Sequence, residues 1–94
     1  MLKPLANARR LEILDWLKDP VAHFPKQESG DPIEDGVCNV FIADKLGISQ
    51  PSASRHLKCL VDAGLLIATP RSGWTYYRRN EAAIAAAVDA IAQI

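Results

Sequence analysis

The stretch "DKLGISQPSA", from Asp44 to Ala53, constrains this chain more than any other. Gly47 offers a position open to the left-handed backbone, where a helix can stop abruptly. Ser49 follows as a helix cap, and Pro51 falls in the first turn of the next helix, where amides need no intrahelical partner. Two helices joined this tightly must cross at a steep angle. Before the corner, Val40, Ala43 and Leu46 recur at three-residue spacing with Ile42 beside them, which predicts a helix over 37–47. After it, Ala53, Leu57, Leu60 and Val61 form a stripe that runs to a stop at Gly64. Ala43 is small where the helices approach closely, and Ile48 is placed to fill the gap between them.

The flanking segments complete the plan. Leu2 to Ala6 reads as a short helical piece. Asn7 caps "ARRLEILDWLK", in which Leu11, Leu14 and Leu17 keep helical spacing and Ile13 and Trp16 widen the stripe. Asp19-Pro20 ends it, because a residue before proline is pushed out of the α region. The segment 19–36 holds three prolines and two glycines and reads as a loop, long enough to imply a function or partial mobility. Beyond Gly64 the period changes. Leu65 to Thr69 reads as a strand, "PRSG" as a turn, and Trp74 to Arg79 as a returning strand with Thr75 and Tyr77 opposite Trp74 and Tyr76. Asn80 caps a last helix in which Ile84, Val88 and Ile91 share a face built otherwise from alanine. The expected fold is mainly α with a small β-hairpin, an α+β arrangement of the winged helix-turn-helix type. A single domain spans 1–94: an acidic loop (19–36), a helix-turn-helix (37–63), a wing (65–79) and a dimerisation helix (80–94).

Ninety-four residues, 49% of them apolar, suit one globular core rather than disorder. No apolar run approaches the roughly 18 residues of a membrane span, and no signal peptide is evident, so no membrane partner and a cytoplasmic location are expected. Formal net charge is zero, but the charges are segregated. Asp19, Glu28, Asp31, Glu34 and Asp35 face only Lys26 between 19 and 36, a net of −4. Arg55, Lys58, Arg71, Arg78 and Arg79 face only Asp62 between 49 and 79, a net of +4. The basic half contains the corner.

Helical periodicity gives the second motif helix an outer face of Ser52, Arg55, Lys58 and Cys59, flanked by Ser54 and His56, with Ser49 and Gln50 at its start. Such a helix fits the major groove of double-stranded DNA, where Gln pairs with adenine, Arg with guanine, and Ser with a base or phosphate. The candidate DNA contacts are therefore Ser49, Gln50, Ser52, Ser54, Arg55, His56 and Lys58, joined by Arg71 at the wing for phosphate or the minor groove. His56 reads as a packing or phosphate-contacting group, and one or two of Trp74, Tyr76 and Tyr77 as structural. Leu2, Leu5, Ile84, Val88 and Ile91 are the candidate surface for a homodimer.

"IADKLGISQPSASRHLKCLVDAGLL" followed by "GWTYYR" resembles the ArsR/SmtB family of bacterial winged-helix repressors, and "LKPLANARRLEILDWL" is similar to that family's opening helices. The resemblance covers nearly the whole chain except 19–36. It implies a homodimeric DNA-binding repressor released by a metal ion, a redox signal or another effector, here unidentified. Two departures bear on the signal. Family arsenic and cadmium/lead sensors often carry C-x-C in the first motif helix, whereas Cys38-Asn39-Val40 keeps only the first thiolate. Zinc sensors place Asp/His-type ligands on the last helix, where this chain has only Glu81 and Asp89. No metal site carries over and no cofactor is expected. Cys38 is left as the candidate redox-sensitive thiol.

A Cys38–Cys59 disulfide is excluded by reach. Helix arms of this length crossing steeply put the two positions about 20 Å apart, against a limit of about 7 Å. The acidic loop with His23 is more simply solvated than a cation site. No Ser/His/Asp set, paired-carboxylate cleft or phosphate-binding glycine loop suggests an enzyme. A winged-helix protein-interaction module is the alternative, but it would show apolar groups where Ser52, Arg55 and Lys58 stand.

Overall fold

The computed structural model describes residues 2–28 and 30–94. The chain opens with α1 (Leu2–Leu5) and α2 (Ala8–Lys18). The Asn7 side chain caps α2 by accepting from the amides of Arg9 (3.0 Å) and Arg10 (3.2 Å). Ile13, Leu14 and Leu17 turn inward, while Leu11, placed in the inner stripe by its spacing, is 50% exposed. Asp19 ends α2 as expected. Pro20 then starts a further turn, α3 (Pro20–His23), inside the segment expected to be loop, because proline at a first helical position is already set to the right φ.

Val37 and Cys38 are not helical, which corrects the expected helix start. They form β1 (Val37–Cys38), and α4 (Asn39–Leu46) begins only after it. The left-handed Gly47 (φ 69°) closes α4, with the Ile48 amide donating to the Ala43 carbonyl (3.3 Å). Ser49 caps α5 (Gln50–Asp62), its hydroxyl accepting from the Ser52 amide. Ala43 and Ala53, both 1% exposed, let α4 and α5 pack closely.

The first wing strand is displaced from its expected span, since Leu65 lies before it and it continues past Thr69 to Arg71. β2 (Leu66–Arg71) runs through Pro70, and β3 (Trp74–Arg79) returns after a two-residue turn at Ser72 and Gly73. Both turn residues have positive φ (51° and 84°), which matches the twist of the flanking strands. β1 adds to the far side of β3, giving an antiparallel sheet in the order β1-β3-β2. Asn80 caps α6 (Glu81–Ala92) through the Ala83 amide.

One core joins these elements: Ile13, Leu14 and Leu17 meet Ile42, Leu57, Leu60, Leu65 and Ala87. Tyr77 packs against it, yet Tyr76 on the opposite face of β3 is buried as well. The segment before β1 covers it, with Gly30 against the Tyr76 ring. Buried Gln27 fastens that segment. Its Nε2 donates to the Gly36 carbonyl (3.1 Å), and its Oε1 accepts from the Cys38 amide (2.7 Å). Gly36 has φ 104°, and a Cβ there would lie 2.4 Å from the Tyr77 carbonyl oxygen, so only glycine permits this approach.

Candidate nucleic-acid interface

The inner face of α5 is fixed by Ala53, Leu57 and Leu60, and the residues between them are left outside. Arg55 and Lys58 are exposed, Ser52 is half-buried, and Ser49, Gln50 and Ser54 are exposed beside them. The serines organise the arginine. Ser49 Oγ donates to Ser52 Oγ (3.0 Å), and Arg55 Nη2 donates to the same Ser52 oxygen (3.1 Å). The guanidinium is thereby held near the start of α5 rather than trailing in solvent. Lys58 lies one turn on and pairs with Asp62 at 2.9 Å. Those side chains are 75% and 62% exposed, so the pair is weak and the ammonium can change partner readily.

His56 sits on the flank of α5, half-buried against α2. Arg10 Nη1 lies 3.5 Å from its Nδ1. Burial, and then the charges of Arg10, Arg9 and Arg55, hold the His56 pKa below its usual value, which keeps the ring neutral near pH 7.

Arg71 is the last residue of β2, next to the turn, and its partner lies far away in sequence. Its Nη1 lies 2.7 Å from Asp35 Oδ2, an acid of the 19–36 segment. Asp35 is itself held in place. Its carboxylate accepts from the Asp31 amide (2.8 Å), while Asp31 Oδ1 accepts from the amides of Ile33 and Glu34. The Asp31 amide, and after it Arg71, hold the Asp35 carboxyl below the usual carboxylate pKa. The acidic segment and the basic wing therefore touch.

The five residues expected on one apolar surface divide. Leu2 (54% exposed), Val88 (59%) and Ile91 (42%) are open, whereas Leu5 and Ile84 pack partly on the core. The reason lies in α6, whose buried contact is Ala87, so its apolar stripe is split between core and solvent. Leu11 of α2 is likewise exposed. Cys38 and Cys59 are both free thiols, and the Cys38 Sγ–H points to Asn39 Oδ1 at 3.5 Å. Among the described residues, no cluster of three or more His, Cys, Asp or Glu side chains could hold a metal ion. Among the same residues, no helix is long and apolar enough to cross a membrane.

A family model described as "Bacterial regulatory protein, arsR family" matches residues 38–68, from β1 through α4 and α5 into β2. The chain is also 44% identical over 89 residues to the uncharacterized HTH-type transcriptional regulator YbzH of Bacillus subtilis, across 95% of this chain and 89% of the relative. The chain belongs to the ArsR family of bacterial regulatory proteins. A crystal structure of a possible transcriptional regulatory protein (fragment 1-100) from Mycobacterium bovis superposes with a TM-score of 0.65 at 30% identity, covering 98% of this chain and 86% of that one. NolR from Sinorhizobium fredii gives a TM-score of 0.63 at 26% identity, covering 98% and 77%. As a member of the ArsR family with this winged helix-turn-helix fold, the protein is a DNA-binding transcriptional regulator.

Proposed function

We propose that the protein is a homodimeric repressor that sets α5 of each protomer into the major groove at the two halves of an imperfect palindrome. The observation that carries this reading is the two-sided character of α5. Its inner face is closed by the core, while its outer face presents Ser52, Arg55 and Lys58 around a serine-held guanidinium. Gln50 and Arg55 suit adenine and guanine edges, and Ser49, Ser52 and Ser54 suit bases or phosphates. Lys58 and Arg71, both in exposed or half-exposed ion pairs, suit the phosphate backbone, as does His56 on the flank. Within the single domain, 37–63 is the reading unit, 65–79 the wing and 80–94 the dimerisation helix.

The homodimer is supported by the open apolar groups Leu2, Val88 and Ile91, with Leu5 and Ile84 at their inner margin. The alanines of α6 let a second helix approach closely. Two-fold symmetry of the protein would then be mirrored in the site, with half-sites about one helical turn, or a multiple of it, apart. Sedimentation with and without a selected duplex, joined to footprinting, tests this. A dimer protecting two half-sites is expected. A monomer at micromolar concentration that binds DNA undiminished would overturn the dimer. Transcription from a promoter carrying the protected site should fall when the protein is present, and a rise would overturn repression.

A further inference from the structure

The outer face of α5 does not end at its own residues. An open groove of about 590 Å³ runs between Pro4 and the row Arg55, Lys58, Cys59 and Asp62, so the α1–α2 corner stands alongside that face. Arg10 builds the corner. Its Nε donates to the Pro4 carbonyl (2.6 Å) and its Nη2 to the Lys3 carbonyl (3.2 Å). Its Nη1 meets His56 Nδ1. A guanidinium can only donate, so Nδ1 accepts and the ring proton is left on Nε2.

Arg10 thus has a task within the fold. Arg9, its exposed neighbour, has none: among the described residues the ion pairs are Lys58–Asp62, Arg71–Asp35 and Arg79–Glu81. Arg9 also lies in the first turn of α2, which holds no acid and where the helix dipole disfavours a cation. Helix stability does not explain it. Arg9 directly precedes Arg10, whose guanidinium meets His56, so its charge belongs to the same corner beside α5 and is felt at His56 along with those of Arg10 and Arg55.

We propose that Arg9, together with the Nε2–H of His56, forms a second phosphate-contacting edge of the DNA interface along the flank of α5. The proposal rests on the placement of α5 in the major groove. A helix with its side chains is about 10–12 Å across and the groove about 12 Å wide, so a seated helix has a sugar-phosphate strand along each flank. Groups packed on a flank, as the α1–α2 corner is, meet phosphates there and not base edges. Arg9 adds charge without reading sequence.

The test is DNA binding by wild type, Arg9→Ala, Arg9→Lys and Arg55→Ala, measured against salt. The probes are a duplex selected by the wild-type protein from a random pool and a scrambled duplex of equal composition. Arg9→Ala is expected to weaken both duplexes by the same factor and to lower the log–log salt slope by about 0.9, the share of one phosphate contact. Arg9→Lys should restore the slope. Unchanged thermal melting of both variants separates this from a folding defect. If Arg9→Ala left affinity and slope unchanged while Arg55→Ala lost sequence preference, the second edge would be refuted and the α5 reading kept. If Arg9→Ala altered preference at a base position, it would be a base contact and the phosphate assignment would fall. If wild type did not distinguish the two duplexes, the α5 reading would fall and the edge with it.

Discussion

Removing the charge of Asp35 should make DNA binding more sensitive to salt. Asp35 occupies the Arg71 guanidinium at 2.7 Å, on the wing that the docking proposed above would bring to the phosphate backbone. Asp35→Asn is the cleanest perturbation. The amide oxygen can still accept from the Asp31 N–H, now 2.8 Å from the carboxylate, so the turn that positions residue 35 is preserved. What is lost is a negative charge that competes with phosphate for Arg71. Freeing one cation for the backbone should steepen the log–log salt slope by about 0.9, which over a fourfold change in salt is about 3.5-fold in affinity. Fluorescence anisotropy of a labelled duplex over a salt series measures it. Loss of an acid near DNA could raise affinity through the general field alone, so the same substitution is made in an Arg71→Ala background. There the steepening should vanish, because no guanidinium is left to release. An unchanged slope for Asp35→Asn, or equal steepening without Arg71, would refute the coupling.

Gln27→Ala should destabilise the fold by about 1–3 kcal/mol in urea denaturation, because it strands the Cys38 amide and the Gly36 carbonyl beneath the loop. A loss below measurement error would show that water replaces the clip. Native His56 has a lowered pKa and resists protonation, whereas the unfolded chain takes the proton near pH 6.5. Its contribution to stability is therefore complete above about pH 6.5 and lost as pH falls towards the native value. His56→Gln should flatten that part of the stability–pH curve, and an unaltered curve would contradict the assignment. Zinc, cadmium and arsenite should not release DNA through a thiolate centre, since such a centre takes about four ligands and α4 follows a single thiol. Stoichiometric metal binding that abolishes DNA affinity in wild type but not in Cys38→Ser would overturn this.

The parts of this molecule written in local signals could be read from the chain. Asn7, Ser49 and Asn80 act as caps where they stand, and Gly47 turns the corner with a left-handed backbone, because each effect depends on a few neighbouring residues. The outer face of α5 followed from periodicity for the same reason. What escaped depended on distant partners. Val37-Cys38 looks helical from its neighbours and becomes a strand only because β3 and the Gln27 side chain supply hydrogen bonds. The 19–36 segment reads as loop by composition, yet it covers Tyr76 and carries Asp35 to Arg71 across a long separation in sequence. The stripe on α6 was visible, but not its division, since spacing alone cannot tell which edge of an apolar face meets the core. The adjacent Arg9 and Arg10 read alike in sequence, and only the contact of Arg10 with His56 and the carbonyls of Lys3 and Pro4 separates them.

The central claim, that α5 reads base sequence, is tested most directly by selecting bound duplexes from a random pool with wild type and Arg55→Ala in parallel. Wild type should enrich an imperfect inverted repeat with half-sites about one helical turn or a multiple of it apart. Arg55→Ala should lose about 1–3 kcal/mol on that site and relax the preference at one base position in each half. Enrichment of the same repeat by both proteins with equal affinity and identical preference at every position would contradict the assignment of the reading face to Arg55.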